Sequence, residues 1–201
     1  MTQGELIRTL VSRAWAAISA HAEELTRLDQ AIGDGDHGLN MARGFSAVAE
    51  AAESLAALPF GEALRKAGMT LVLKIGGASG PLYGSLLMDM GKVAQAVPNS
   101  PAEVARLLAA GVQAVKARGK SDAGAKTMLD VLIPVLATLE AGGGAAEARQ
   151  AADAGLEATR PMRATKGRAA FLGERSIGHL DPGARSAALL VHVACDIAEG
   201  T

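Results

Sequence analysis

Leu6, Leu10, Val11, Ala14, Ile18, Ala22 and Leu25 recur at steps of three and four residues, the spacing that lines one face of an α-helix. The pattern predicts a long amphipathic helix over residues 3–28 with Asp29 at its C-terminal end. An alanine-rich helix over 41–58 follows and stops at Pro59, and a third over 60–75 ends at Gly76-Gly77 in the manner of a glycine C-cap. Pro81 suits the first position of a fourth helix running to Val97. After a Pro98-Asn-Ser-Pro101 linker, a fifth covers 102–118. Met128, Leu129, Leu132, Ile133, Val135, Leu136 and Leu139 mark a sixth over 127–140, which Pro134 should bend. Gly142-Gly-Gly144 precedes a seventh over 145–159, and a long polar connection over 160–180 leads into the eighth over 182–199.

β-branched and aromatic residues never alternate over the roughly four to eight positions a strand requires. The expectation is therefore one all-α domain over residues 1–201, an antiparallel eight-helix bundle or barrel whose Ala and Gly content lets helix axes approach closely. With antiparallel neighbours, every second connection falls at the same end. The connections so grouped are 29–40, 76–80, 119–126 and 160–180, and these are the polar, glycine-bearing ones. Chemistry is expected at that rim.

Composition narrows the function. An apolar content of 49% supports a sizeable core, and 20 basic against 21 acidic residues give a net charge of −1. The few aromatics and the lack of a basic block argue against nucleic acid as a partner. No apolar run approaches the ~18 residues needed to span a membrane. Glu5 stands where a signal peptide needs a basic and then apolar run. The lone Cys195, in an apolar helix, is expected to be buried and inert, which suits a reducing cytoplasm.

The first of the polar loops carries the strongest signal. Asp29, Asp34 and Asp36 are interleaved with Gly33, Gly35 and Gly38. Such carboxylates held together repel by roughly several kcal/mol at an effective dielectric near 20, so the loop asks for a cation. Oxygen ligands without Cys or a second His favour Mg²⁺ or Ca²⁺ over zinc. Other readings fail. Gly33-x-Gly35-x-x-Gly38 formally matches the dinucleotide fingerprint, but it follows a helix and its intervening acids would repel bare phosphate. An EF-hand starting at Asp34 would put Leu39 at the turn glycine and Phe45 at the bidentate Glu. A P-loop ending at Gly119-Lys120-Ser121 would need its first glycine at Ala114. With two divalent cations the acidic loop would carry a charge of about +1, matched to a phosphate chain, and phosphoryl transfer needs little more than positioning and charge neutralisation.

The remaining loops read two ways. Residues 76–81 are either a helix cap and start, or an anion cradle built from free amides and the Ser79 hydroxyl. Asp181-Pro182-Gly183 is an N-cap with proline at N1, whose amides remain available to a ligand. Arg168 and Arg175 lie in a connection longer than ordinary loops, as a segment covering a site would be. His37 is a phosphate partner or a caged loop residue, and His179 and His192 read as structural.

Four stretches together, Leu28-Asp-Gln-Ala-Ile-Gly-Asp-Gly-Asp-His-Gly-Leu-Asn-Met41, Gly76-Gly-Ala-Ser-Gly-Pro-Leu-Tyr-Gly84, Lys126-Thr-Met-Leu-Asp130 and the run from Gly167 to Ala184, resemble the ADP-binding L subunit family of dihydroxyacetone kinases. The resemblance implies an eight-helix antiparallel barrel with ADP or ATP at one rim. It implies that Asp29, Asp34 and Asp36 ligate two Mg²⁺ ions, and that His37, Gly38 and Asn40 line the nucleotide. Ala78 and Ser79 would approach the phosphates, Gly119 and Met128 the adenine side, and Arg168 with Asp181, Pro182 and Gly183 would close over it. Ala169-Ala-Phe171 departs from the Ala-Ser-Tyr of many relatives and removes one or two hydroxyls.

Chain length leaves no room for a hydroxyacetone-binding domain, so the resemblance implies a separate subunit of the phosphoenolpyruvate-dependent, phosphotransferase-system type. There ADP is a lasting coenzyme, recharged by a phosphohistidine M subunit and discharged to dihydroxyacetone on a K subunit. Two alternatives are a fatty-acid-kinase-like or ATP-dependent nucleotide domain, the former with Thr where this chain has His37, and a non-catalytic nucleotide-state sensor that binds a transcriptional regulator.

Overall fold

The structure, a computed structural model, describes residues 1–200. Its helices are α1 (Gln3–Ala20), α2 (Ala22–Ile32), α3 (His37–Glu50), α4 (Ala52–Ala56), α5 (Phe60–Lys74), α6 (Ser79–Val93), α7 (Pro101–Gly119), α8 (Leu129–Glu140), α9 (Ala145–Ala158) and α10 (Pro182–Glu199), with a 3₁₀ segment at Arg168–Ser176. No strand occurs among the described residues, and no described helix is long and apolar enough to cross a membrane. The expected eight rods are present once α1 with α2 and α3 with α4 are each counted as one interrupted helix.

Both interruptions have local causes. His21 donates from Nδ1 to the Ala17 carbonyl at 2.8 Å, the acceptor that a continuous helix reserves for the residue 21 amide. That amide turns to Ile18 instead, 3.3 Å away. At Ala51 the amide likewise shortens its reach to Val48, at 3.1 Å.

Helix ends follow the sequence. Thr2 and Glu5 form a capping box on α1, Ser100 caps α7 with Pro101 next to it, and Asp181 caps α10 with Pro182 next to it. α6 begins at Ser79, two residues before Pro81. Proline is tolerated there because first-turn amides lack intrahelical partners. Pro134 lies inside α8 and leaves the Asp130 carbonyl without its i+4 amide. Gly155 of α9 packs on that carbonyl so closely that a Cβ would stand 2.4 Å from it.

The rods close into a ring. α2 packs on α3, α3 on α5, then each helix on its successor to α10, and α10 returns to α1 and α2. Arg185 fastens that seam with a bidentate pair to Glu24 at 2.7 and 3.1 Å. The tightest approach is between α5 and α6, where Gly68 meets Gly84 and Gly61 meets Gly91, an antiparallel register in which each added Cβ would come within 2.8 Å of the facing carbonyl. The core inside the ring is aliphatic, with Ile18, Leu25, Met41, Leu71, Val112, Leu129, Val131 and Ala188 almost fully buried. A smaller cluster of Ile32, Ala164 and Ala169 with Leu172 seats the 160–180 connection on the end of α2.

Candidate functional site

All four polar connections meet in one cleft. Its walls include Asp29, Asp34, Asp36 and His37, then Gly76 to Ser79, Lys126 to Met128, Lys166 to Ala169, and Asp181 to Gly183. Oxygens of Asp29, Asp34 and Asp36 lie within 4.8 Å of one another.

The acidic loop is shorter than residues 29–40. α2 runs on to Ile32 and α3 starts at His37, so only 33–36 lie outside helices. The reason lies in Asp29, whose Oδ2 accepts the amides of Asp36 at 2.9 Å and His37 at 3.1 Å. Those amides head α3 and have no partner within the helix. Asp29 therefore faces the positive end of the α3 dipole, and this offsets its position in the last turn of α2 without a cation. The three glycines do different work. A Cβ on Gly33 would sit 2.1 Å from Asp29 Oδ1, Gly35 takes φ +76°, and a Cβ on Gly38 would sit 1.9 Å from the Ala22 carbonyl.

The donor set fits a hard divalent cation. Asp34 and Asp36 are exposed to the cleft, and the amide bonds of Asp29 run to Oδ2, which leaves Oδ1 for a ligand. Across the mouth, Arg168 Nη2 lies 2.9 Å from Asp34 Oδ2.

Behind the carboxylates lies a buried hydrogen-bonded chain. His37 Nδ1 is 3.1 Å from the Ser79 hydroxyl and Nε2 is 2.9 Å from that of Ser186. Ser186 in turn is 2.7 Å from the Tyr83 hydroxyl and donates to the Gly183 carbonyl at 3.1 Å. Burial holds the His37 pKa below its usual range despite the nearby Asp29 and Asp36. The ring is therefore a neutral strut between the start of α6 and the start of α10. Burial also raises the Tyr83 pKa, so its phenol stays protonated.

Asp181 accepts the Ala184 amide at 2.7 Å, and burial, reinforced by Asp130 and Asp29, pushes its carboxyl up to about 7. Lys126 is only 1% exposed. Its Nζ donates to the carbonyls of Thr159, Met162 and His179.

Of the residues anticipated from sequence, Asp29, Asp34, Asp36, His37, Ala78, Ser79, Met128, Arg168, Asp181, Pro182 and Gly183 line this cleft. Three others lie outside the lining. Gly38 is packed on α2, Asn40 accepts from Arg43 Nη2 at 2.7 Å beside Gly76, and Gly119 lies against Leu82 at the cleft edge. Arg175 is exposed on the 160–180 connection, away from the lining. Tyr83, Ser186, Lys126 and Asp130 escaped the sequence reading because their work is done by contacts with distant residues. Tyr83, Lys126 and Asp130 do stand in the 76–84 and 126–130 stretches that carry the family resemblance, and this is the signal the sequence offers for them.

Residues 31–196 match the model of the DAK2 domain. The chain is similar to the ADP-binding subunit DhaL of PEP-dependent dihydroxyacetone kinase 1 from Listeria innocua, 46% identical over 87% of each chain. It is also similar to the ADP-binding subunit DhaL of the PEP-dependent dihydroxyacetone kinase of Escherichia coli, 41% identical over 91% of each. A crystal structure of the dihydroxyacetone kinase from C. freundii in complex with AMP-PNP and Mg²⁺ superposes with a TM-score of 0.77 at 27% identity, and the match covers 98% of this chain and 34% of that one.

Proposed function

The chain belongs to the DAK2 domain family, and on that premise we propose that it is the ADP/ATP-holding subunit of a phosphoenolpyruvate-dependent dihydroxyacetone kinase. One observation carries the proposal: carboxylates within 4.8 Å of each other share a cleft with Ser79, Arg168 and the amide-bearing start of α10. Acids alone would repel a nucleotide, and amides alone would not hold a metal. Together they suit a metal–diphosphate unit.

In this reading Asp29, Asp34 and Asp36 hold two Mg²⁺ ions. Magnesium supplies charge neutralisation at the phosphate oxygens. The protein's own residues supply position. Asp29 keeps the loop against α3, neutral His37 holds the Ser79 hydroxyl toward the phosphates, and Arg168 changes partner from Asp34 to the nucleotide. Met128 and Gly119 flank the base, Ala78 borders the phosphates, and Asp181, Pro182 and Gly183 close one edge with Gly38 and Asn40 bracing the floor. No side chain is needed as the base for the sugar, which a K subunit would hold. An M subunit bearing phosphohistidine would recharge ADP in place, and a transcriptional regulator would read the ADP or ATP state of the same rim. Work with phosphoenolpyruvate as donor puts the proposed activity in the cytoplasm.

The test is direct. Mass spectrometry of the freshly purified chain is expected to find ADP that survives gel filtration, and the chain is expected to support dihydroxyacetone phosphorylation when K and M subunits of a relative are added. A chain that holds no nucleotide and restores no turnover would contradict the proposal.

A further inference from the structure

Lys126 is a charged residue in the wall of a cleft suited to phosphate, where a lysine would ordinarily reach the anion. It does not. The side chain is 1% exposed, and Nζ lies 2.6 Å from the Thr159 carbonyl, 3.2 Å from that of Met162 and 2.5 Å from that of His179. An ammonium has three donors, and here all are committed.

The three carbonyls lie on the two sides of the 3₁₀ segment. Thr159 is the C-cap of α9, Met162 follows it, and His179 leads out toward α10. The strap between these feet, residues 163–178, carries Lys166, Gly167, Arg168 and Ala169 into the cleft wall. The Thr159 hydroxyl accepts the Asp181 amide at 3.1 Å, so the same anchor sets the edge formed by Asp181 to Gly183. A further tie comes from the amide of Thr165, which donates to the Ala125 carbonyl at 3.2 Å.

The lysine is itself held in place. The Asp130 carboxylate accepts the amides of Gly124 at 2.5 Å and Thr127 at 2.7 Å, on either side of Lys126. Inside that turn the Lys126 backbone takes φ +62°, a left-handed conformation with a steric cost for any residue bearing a Cβ. The turn directs the side chain inward beneath the strap.

We infer that Lys126 is a positioning residue, an internal cation that pins both feet of the 163–178 strap and thereby fixes Arg168 and the 181–183 edge over the nucleotide, so that it governs how long the nucleotide stays. The inference rests on the nucleotide-site reading above. Its pinning half can be tested apart from that reading.

The experiment uses the full chain with Lys126→Met, which keeps length and apolar stem but removes the charge, and Lys126→Gln, which keeps two donors. Dissociation of a fluorescent ADP analogue in Mg²⁺ is timed at a temperature where circular dichroism shows full helix content, and amide hydrogen exchange is followed in parallel. Release is expected to quicken by about tenfold or more in Lys126→Met, by less in Lys126→Gln. Faster exchange should be confined to residues 160–180. Release within about twofold of the wild type, or exchange raised evenly over all helices, would overturn the inference. Failure of both variants to fold would also overturn it, since Lys126 would then be a determinant of folding. If the wild type itself binds no analogue, the nucleotide reading fails, and the exchange pattern alone decides whether Lys126 pins the strap.

Discussion

Arg168 reaches across the mouth of the cleft to place Nη2 2.9 Å from Asp34 Oδ2. Its side chain is 65% exposed, so the pair adds less than about 1 kcal/mol to folding. Its weight falls on binding, because the guanidinium occupies a carboxylate that a divalent cation would claim in the proposed site. Arg168→Met should leave the thermal midpoint nearly unchanged and strengthen binding of Mg²⁺ alone. The same substitution should weaken binding of Mg·ADP by about tenfold, since a charge-assisted contact to phosphate is lost. Calorimetric titrations with and without nucleotide check this opposite movement.

Asp181 gives the fold a dependence on pH. Its carboxyl titrates at about 7 in the folded chain, against an ordinary value of 3.8. Between these values the folded chain keeps a proton that the unfolded chain has released, so stability falls as pH rises from about 4 to about 7 and is level above. Asn at this position keeps an oxygen to accept the Ala184 amide and carries no charge. Asp181→Asn should therefore melt above the wild type at pH 8 and level with it near pH 4. Thermal melts of nucleotide-free protein across that range decide the matter.

The seam between α5 and α6 has no space for side chains. A Cβ on Gly84 would stand 2.2 Å from Val72 Cγ2 and 2.8 Å from the Gly68 carbonyl. Gly84→Ala should cost about 1–3 kcal/mol by overpacking, even though alanine is the better helix former. Urea unfolding monitored by circular dichroism gives the number. A stabilised variant would show that the two helices are free to part.

The ring was legible because each rod repeats apolar positions at helical spacing and most connections are short, the exception being 160–180, so that successive helices are neighbours. The breaks at His21 and Ala51 were not. They arise from an exchange of one carbonyl partner for another, a choice that leaves the hydrophobic pattern intact. In the site, Asp34 and Asp36 announced themselves by charge and intervening glycine. Asp29 stands out as an acid in the same way, but its grip on the α3 amides, which closes a loop over Gly33, depends on the fold. The contact of His37 with Ser186 spans 149 residues. That of Lys126 with His179 spans 53. Local spacing carries no trace of either, and so these buried polar struts appear only once the chain has folded.

The most direct measurement is calorimetry of ADP binding, in Mg²⁺ and in its absence, to Asp34→Asn with Asp36→Asn. Replacing two exposed acids relieves repulsion, so the helical spectrum should be unchanged. Mg²⁺-dependent affinity for ADP is expected to disappear in this double variant. Undiminished affinity would contradict the proposed site.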